Sequence, residues 1–269
     1  MENILSVFKS KDVLKKILFT LLAFFVYKAA TLITIPLVNI SYIENFFGNN
    51  EGGVLGMANA LTGNALKNYS IIALGISPYI TSSIVVQLLQ MDIVPVLKEW
   101  SEEGETGKQK INQLTRYLAI GLAFAQALAM TIGFGVNSGG TIFQAGVDES
   151  IFLYIYLALV MTGGTAFLLW LSDQITLKGV GNGTSMIIVA GIVSSMPGMF
   201  TSLYERYIMG IQADFSVVEP GSTEYITFAL VVLLYVAVIF FVTIMQAAAR
   251  KIPIQYANRP ASAKFQGKS

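Results

Sequence analysis

Six long apolar runs constrain this chain more than any other feature. They lie near Ile17–Val38, Ser70–Met91, Arg116–Val136, Ile151–Leu171, Ser185–Tyr204 and Tyr225–Gln246. Each is about 20 residues long, the helical length that spans the hydrocarbon core of a bilayer. In hydrocarbon every backbone polar group must find its partner within the protein, so the runs read as six transmembrane helices of an all-α membrane protein. Composition agrees, with 54% of residues hydrophobic and 12% charged, where a soluble domain carries roughly 25% charged residues. Cysteine and histidine are both absent. That excludes thiol chemistry, disulfides, histidine acid–base catalysis and metal sites built on either residue. The net charge of +1 predicts no nucleic-acid partner and no direct DNA binding.

The basic residues orient the spans. Lys9, Lys11, Lys15, Lys16, Lys98, Lys108, Lys110, Arg116, Lys178, Arg250, Lys251, Arg259, Lys264 and Lys268 fall on one side, against only Lys67 and Arg206 on the other. The bias places both termini in the cytoplasm. The first run exceeds the 7–15 residues of a signal-peptide core and is followed by no small-residue cleavage site, so it reads as an uncleaved helix. Residues 1–16, with Ile4, Leu5 and Phe8 opposed to lysines, read as a short interfacial helix.

Several spans are irregular. Lys28 sits mid-span on this reading, either facing the bundle interior or serving a pathway. Gly75, Ser77, Pro78, Thr81, Ser82, Ser83 and Gln87 interrupt the second span. Ile76, Ile80, Ser83 and Gln87 share one helix face, open to cavity lining or to polar helix–helix packing. Before it, Asn49–Asn68 is too short and glycine-rich to span, with an apolar patch of Val54, Leu55, Met57 and Leu61. It reads as a loop helix or a re-entrant segment. Thr162–Ala166 is dense in small residues, which suits close helix packing. Lys178–Thr184 is glycine-rich but lacks the strand context of a nucleotide loop, so Gly181, Asn182 and Gly183 read as a turn at a helix start. The acidic stretch within Asp92–Thr115 reads as a solvated loop, and the basic tail Arg250–Ser269 as a candidate contact for anionic lipid, nucleic acid or an acidic protein. Interrupted second and fifth spans point to a central pathway.

Three stretches carry a resemblance. Ala73–Asp92, Lys178–Ser195 and Arg250–Ala257 resemble the second helix, the fifth helix and the start of the large cytoplasmic loop of the SecY family of protein-conducting channels. Asn64–Ser70 is similar to the end of that family's plug segment. The resemblance implies the N-terminal half of an inverted-repeat channel, with residues 17–204 as the first five helices, a short external plug at 54–68, a sixth helix at 225–246, and a partner-docking loop beginning at 247–269. It implies a pore ring containing Ile76, Ile80, Thr184 and Ile188, and plug residues Val54, Leu55, Met57 and Leu61. It implies a lateral gate near Thr81, Ser83 and Gln87, and docking through Arg250 and Lys251. Thr184 departs from the usual aliphatic residue; its hydroxyl either loosens the apolar ring or turns away to bond a backbone carbonyl. Lys28 falls where the family often has arginine.

The function so implied is passage of unfolded secretory proteins across the bacterial cytoplasmic membrane, with lateral release of transmembrane segments into lipid. The implied partners are SecE and SecG, the SecA motor ATPase, the ribosome, signal peptides and nascent chains. No cofactor and no enzymatic activity are implied. Family members have ten spans, so the chain reads as truncated and unable to close a pore alone. The alternative is a small-solute secondary transporter, which would place a charged cluster at mid-membrane where only Lys28 lies. An intramembrane enzyme lacks acid–base groups at depth.

Overall fold

The computed structural model describes residues 11–49, 53–91, 93–137, 142–144, 146, 150–209 and 222–248. Its helices are α1 (Lys11–Leu32), α2 (Ile40–Asn49), α3 (Val54–Leu61), α4 (Ser77–Gln90), α5 (Pro95–Glu102), α6 (Glu105–Asn137), α7 (Ile151–Lys178), α8 (Gly183–Tyr207) and α9 (Ser222–Ala247). Contacts divide the chain into two compact units, Met1–Phe200 and Thr201–Ser269. Among the described residues, four helices are long and apolar enough to cross a membrane: α6, α7, α8 and α9. α4 and α5 together reach the same length but are bent by 94° at their junction. In the second unit the Tyr207 and Phe228 rings lie 6.4 Å apart.

The first two apolar runs are not continuous helices. Helix α1 already begins at Lys11 and ends at Leu32, so residues 11–16 are its first turns rather than a separate interfacial helix. Residues 1–10 lie outside the described residues. Pro36 explains the early end, because its ring clashes with the carbonyl four residues back and it has no N–H to donate. The residue before a proline is also pushed to extended backbone. The chain therefore runs irregularly from Ile33, and its polar groups pair with other irregular segments. Ile35 N–H donates to Tyr69 O at 3.1 Å, and Ile71 N–H to Ile33 O at 3.1 Å. On the other side, Asn39 N–H donates to Ile142 O at 2.8 Å and Gln144 N–H to Leu37 O at 3.0 Å. Residues 62–76, half of which belong to the second run, are likewise turns, and α4 starts only at Ser77 with Pro78 in its first turn.

Two cores follow. One gathers aromatic side chains around these irregular segments: Phe46, Phe134 and Tyr69 pack with ring centroids 5.2–6.1 Å apart. The buried Tyr69 hydroxyl donates to Thr131 Oγ1 at 3.0 Å, which ties the segment to α6. Tyr69 holds a positive φ of 45°, a conformation that costs of order 1–3 kcal/mol unless its surroundings fix it. The other core joins Ala23 and Tyr27 of α1, Ile72 and Ile76, Leu168 and Ile175 of α7, and Ile187 and Ala190 of α8.

The stretch expected as a solvated loop, 92–115, is mostly helical. Pro95 opens α5, and Gly104 at φ +78° turns the chain into α6. Its charges remain at the surface, where Lys110 Nζ lies 2.7 Å from Glu103 Oε2 and 5.6 Å from the Trp100 ring centroid. α6 has 33 residues, about 50 Å at 1.5 Å per residue, so it exceeds a bilayer core of about 30 Å. Arg116 donates to Asp173 Oδ1 of α7 at 2.8 Å where both side chains are part-exposed. The pair marks one polar level on two antiparallel helices.

Close approach depends on small residues. A Cβ at Gly164 would overlap the Ile71 carbonyl, whereas one at Gly163 meets nothing within 4 Å. Gly164→Ala is expected to destabilise the protein by about 1–3 kcal/mol through overpacking, and Gly163→Ala to leave it unchanged or more stable. Thermal unfolding in detergent checks the contrast. Asp173→Asn is expected to cost less than about 1 kcal/mol, because the pair is solvent-screened.

Candidate functional site

The turns 62–76 join α3 to the start of α4, and α8 packs against α3 and these turns through Gly191 and Ser195; only some of the residues singled out in the sequence lie there. Ile76 caps α4 and is buried, and Ile80 N–H donates to its carbonyl at 3.2 Å. Ile76 lies in one apolar cluster with Ile187, and Ile188 packs against that cluster. Ile80, one turn along α4, is 37% exposed and stands outside it. Of the four expected ring residues, Ile76 belongs to this cluster and Ile188 packs against it.

Thr184 is held elsewhere. Its Oγ1 lies 3.1 Å from Ser172 Oγ on α7, and its N–H donates to Asn182 Oδ1 at 3.0 Å. The hydroxyl does turn away, but to a side-chain hydroxyl rather than to a backbone carbonyl. The glycine-rich turn before it is shaped by packing. Gly181 has φ +74°, and a Cβ at Gly183 would overlap the Ser172 carbonyl. Gly183 N–H donates to Thr176 Oγ1 at 2.9 Å.

On α4, Thr81 Oγ1 donates to Ser77 O at 3.1 Å and Gln87 Nε2 to Ser83 Oγ at 3.2 Å, both at the exposed surface. Ser82 is buried and donates to Thr115 O of α6 at 2.6 Å, so it is a packing group that fastens the two helices. Lys28 is not mid-span. It lies one turn from the end of α1, half-buried, with Thr31 Oγ1 donating to its carbonyl at 2.7 Å. A cation there suits the negative end of the helix dipole. Arg250 and Lys251 lie outside the described residues.

α3 runs Val54–Leu61, and Leu55, Met57 and Leu61 are all exposed. Its C-terminal end is fastened by residues that apolar patterning passes over. Tyr27 Oη of α1 donates to Thr62 O at 2.9 Å. Ser195 Oγ of α8 lies 2.9 Å from both Ala60 O and Ile192 O and shares its one proton between them. Asn59 closes the following turn, its Nδ2 donating to Asn64 Oδ1 at 3.0 Å and its Oδ1 accepting from Lys67 N–H at 2.9 Å. The one available signal was the positive-φ pair Gly63-Asn64, a dipeptide typical of tight turns. Among the described residues there is no group of three or more acidic side chains placed to hold a metal ion.

Long apolar helices, irregular backbone buried between them, and a short helix tucked against two of them define a multi-pass helical membrane protein. The family model for SecY matches residues 70–269, and the chain belongs to the SecY family. It is 43% identical to the protein translocase subunit SecY of Streptococcus gordonii, over 93% of this chain and 55% of that protein. It is 44% identical to that of Bacillus subtilis, over 92% and 54%, and 43% identical to that of Staphylococcus carnosus, over 98% and 59%. The chain therefore spans little more than half the length of the curated relatives it matches. A solved protein conducting channel aligns with a TM-score of 0.44 at 19% identity, over 74% of this chain and 39% of its own.

The Thr184–Ser172 contact generates a prediction. Thr184→Val and Ser172→Ala are each expected to lower stability by about 0.5–1.5 kcal/mol. The double variant should cost less than the sum of the two, because both remove one bond. Unfolding midpoints of the three variants check this.

Proposed function

We propose that this chain forms part of the pore of a Sec-type protein translocation channel, passing unfolded secretory proteins across the bacterial cytoplasmic membrane and releasing transmembrane segments sideways into lipid. The observation that carries the reading is membership of the SecY family over residues 70–269. On this reading the chain crosses the membrane six times with both termini in the cytoplasm. α3 is the plug, with Val54, Leu55, Met57 and Leu61 on it. Ile76, Ile80 and Ile188 supply apolar side chains to a constriction, with Thr184 at its edge. Thr81, Ser83 and Gln87 border a lateral gate, and Arg250 and Lys251 belong to a docking loop for SecA or the ribosome. SecE and SecG complete the assembly.

The mechanism is physical rather than catalytic. A constriction lined by aliphatic side chains expels water and so resists ion flow at rest. A hydrophobic signal segment binds the gate, displaces the plug and partitions into lipid, and the driving energy comes from the partner. The apolar cluster that holds Ile76 and Ile187, with Ile188 packed against it, supports the reading by supplying aliphatic side chains at this place.

Replacing Ile76 and Ile80 by asparagine is expected to raise the resting ion conductance of planar bilayers in which the chain is assembled with the subunits that complete the pore. Unchanged conductance counts against the ring. Photocrosslinkers placed along Ile76–Gln87 are expected to capture a translocating polypeptide; protection by a small solute instead would favour a transporter.

A further inference from the structure

We propose that Tyr27 and Ser195 are positioning residues that latch the C-terminal end of α3, so that this helix moves by swinging about that end while its N-terminal end leads. The inference rests on the reading of α3 as the plug. Two carbonyls at this end already accept from the following turn, Ala60 O from Gly63 N–H at 3.2 Å and Thr62 O from Ala65 N–H at 3.4 Å, and each is also met by a side chain from a different helix. Tyr27 of α1 reaches Thr62 O at 2.9 Å, and Ser195 of α8 reaches Ala60 O at 2.9 Å. Between them, a Cβ at Gly191 would overlap the Leu61 carbonyl and come within 3.1 Å of the Tyr27 hydroxyl. Gly63, at φ +66°, lies against the Gly191 backbone. Three consecutive residues, Ala60 to Thr62, are thus gripped at one spot.

The other end of α3 is held differently. Its N-cap is Gly53, which makes no side-chain capping bond. Leu55 and Met57 point outward, with Met57 71% exposed. Beyond the latch, the Asn59–Asn64–Lys67 bonds and the buried Ala65, Leu66 and Tyr69 fix the chain onto the core. Among the described residues, side-chain bonds to α3 gather at its C-terminal end, where two hydroxyls add to the backbone bonds. Ser194 supplies an internal contrast: its Oγ is buried beside Gly63 and has no hydrogen-bond partner among the described residues.

The test exploits the absence of native cysteine. The full chain, reconstituted in lipid nanodiscs, carries spin labels at Met57→Cys on α3 and Phe25→Cys on the exposed face of α1, and pulsed EPR reads the distance distribution between them. Tyr27→Phe and Ser195→Ala are each expected to raise the population of displaced α3 by about two- to tenfold, the effect of losing one hydrogen bond. The double variant should raise it further, Ser195→Thr should restore the original distribution, and Ser194→Ala should leave it unchanged. A distribution unaltered in the double variant, or altered as much by Ser194→Ala, overturns the latch. Resting conductance of the same variants, moved into planar bilayers with the subunits that complete the pore, separates the two ideas. Broadened distances with unchanged conductance uphold the latch and count against α3 as a plug.

Discussion

The structure depends on one constraint: backbone polar groups in apolar surroundings must be paired by the protein itself. Helices satisfy it locally, and most of the chain is helical. Where Pro36, Gly75 and Pro78 forbid helix, the chain meets the constraint by pairing irregular segments with one another. Residues 33–39 lie between residues 69–71 and 142–144, and the four bonds among them at 2.8–3.1 Å replace the missing helical ones. This places residues 62–76 inside the helical frame rather than at its surface. The position of α3, and the late start of α4 at Ser77, follow from it.

Packing in this chain follows the rules of a lipid environment. Large apolar side chains such as Phe25 and Phe152 are more than three-quarters exposed, which in water would be a severe liability and in lipid is neutral. Association therefore cannot rely on hiding apolar surface, and it rests on close backbone approach and on hydrogen bonds between helices. Gly164 against Ile71, Gly183 against Ser172 and Gly191 against Leu61 are the approaches. Ser82 to Thr115, Thr184 to Ser172 and Ser195 to Ala60 are the bonds. Each glycine sits beside one of the irregular or capping segments that the site is built from.

The long apolar helices were legible because their signal is composition over some twenty residues, which tertiary context does not alter. α7, α8 and α9 follow the fourth to sixth runs, whereas α6 contains the third and begins 11 residues before it. The first two runs misled because a count of apolar residues is blind to a single proline: Pro36 lies inside a run that hydropathy treats as continuous. The same blindness placed Lys28 at mid-span, when the true helix end at Leu32 puts it one turn from the boundary. Within the site, Ile76 and Ile188 could be named from motif resemblance, and the structure sets Ile188 against the cluster that holds Ile76. Tyr27 and Ser195 could not, since a hydroxyl donating to a distant carbonyl has no periodicity and its partner is a backbone atom that every residue possesses. Thr184 lay between these cases: the departure from an aliphatic residue was visible, its bond to Ser172 was not.

These hydroxyl contacts also bear on the chemistry of the proposed constriction. A narrow passage stays dry only while the groups facing it offer water no hydrogen bond. The helices of the first unit carry Thr20, Tyr27, Ser82, Ser172, Thr184 and Ser195, enough polar atoms to wet such a passage. In the structure each of these donates or accepts within the protein: Thr20 to Lys16 O and Val180 N–H, and the others across helices as described. The hydroxyls thus serve two ends with one set of bonds. They hold helices together in a solvent that provides no hydrophobic drive, and their engagement withdraws these polar atoms from water. On the proposed reading, a polar residue is tolerated at the edge of a constriction when its bond is already made elsewhere, as that of Thr184 is to Ser172.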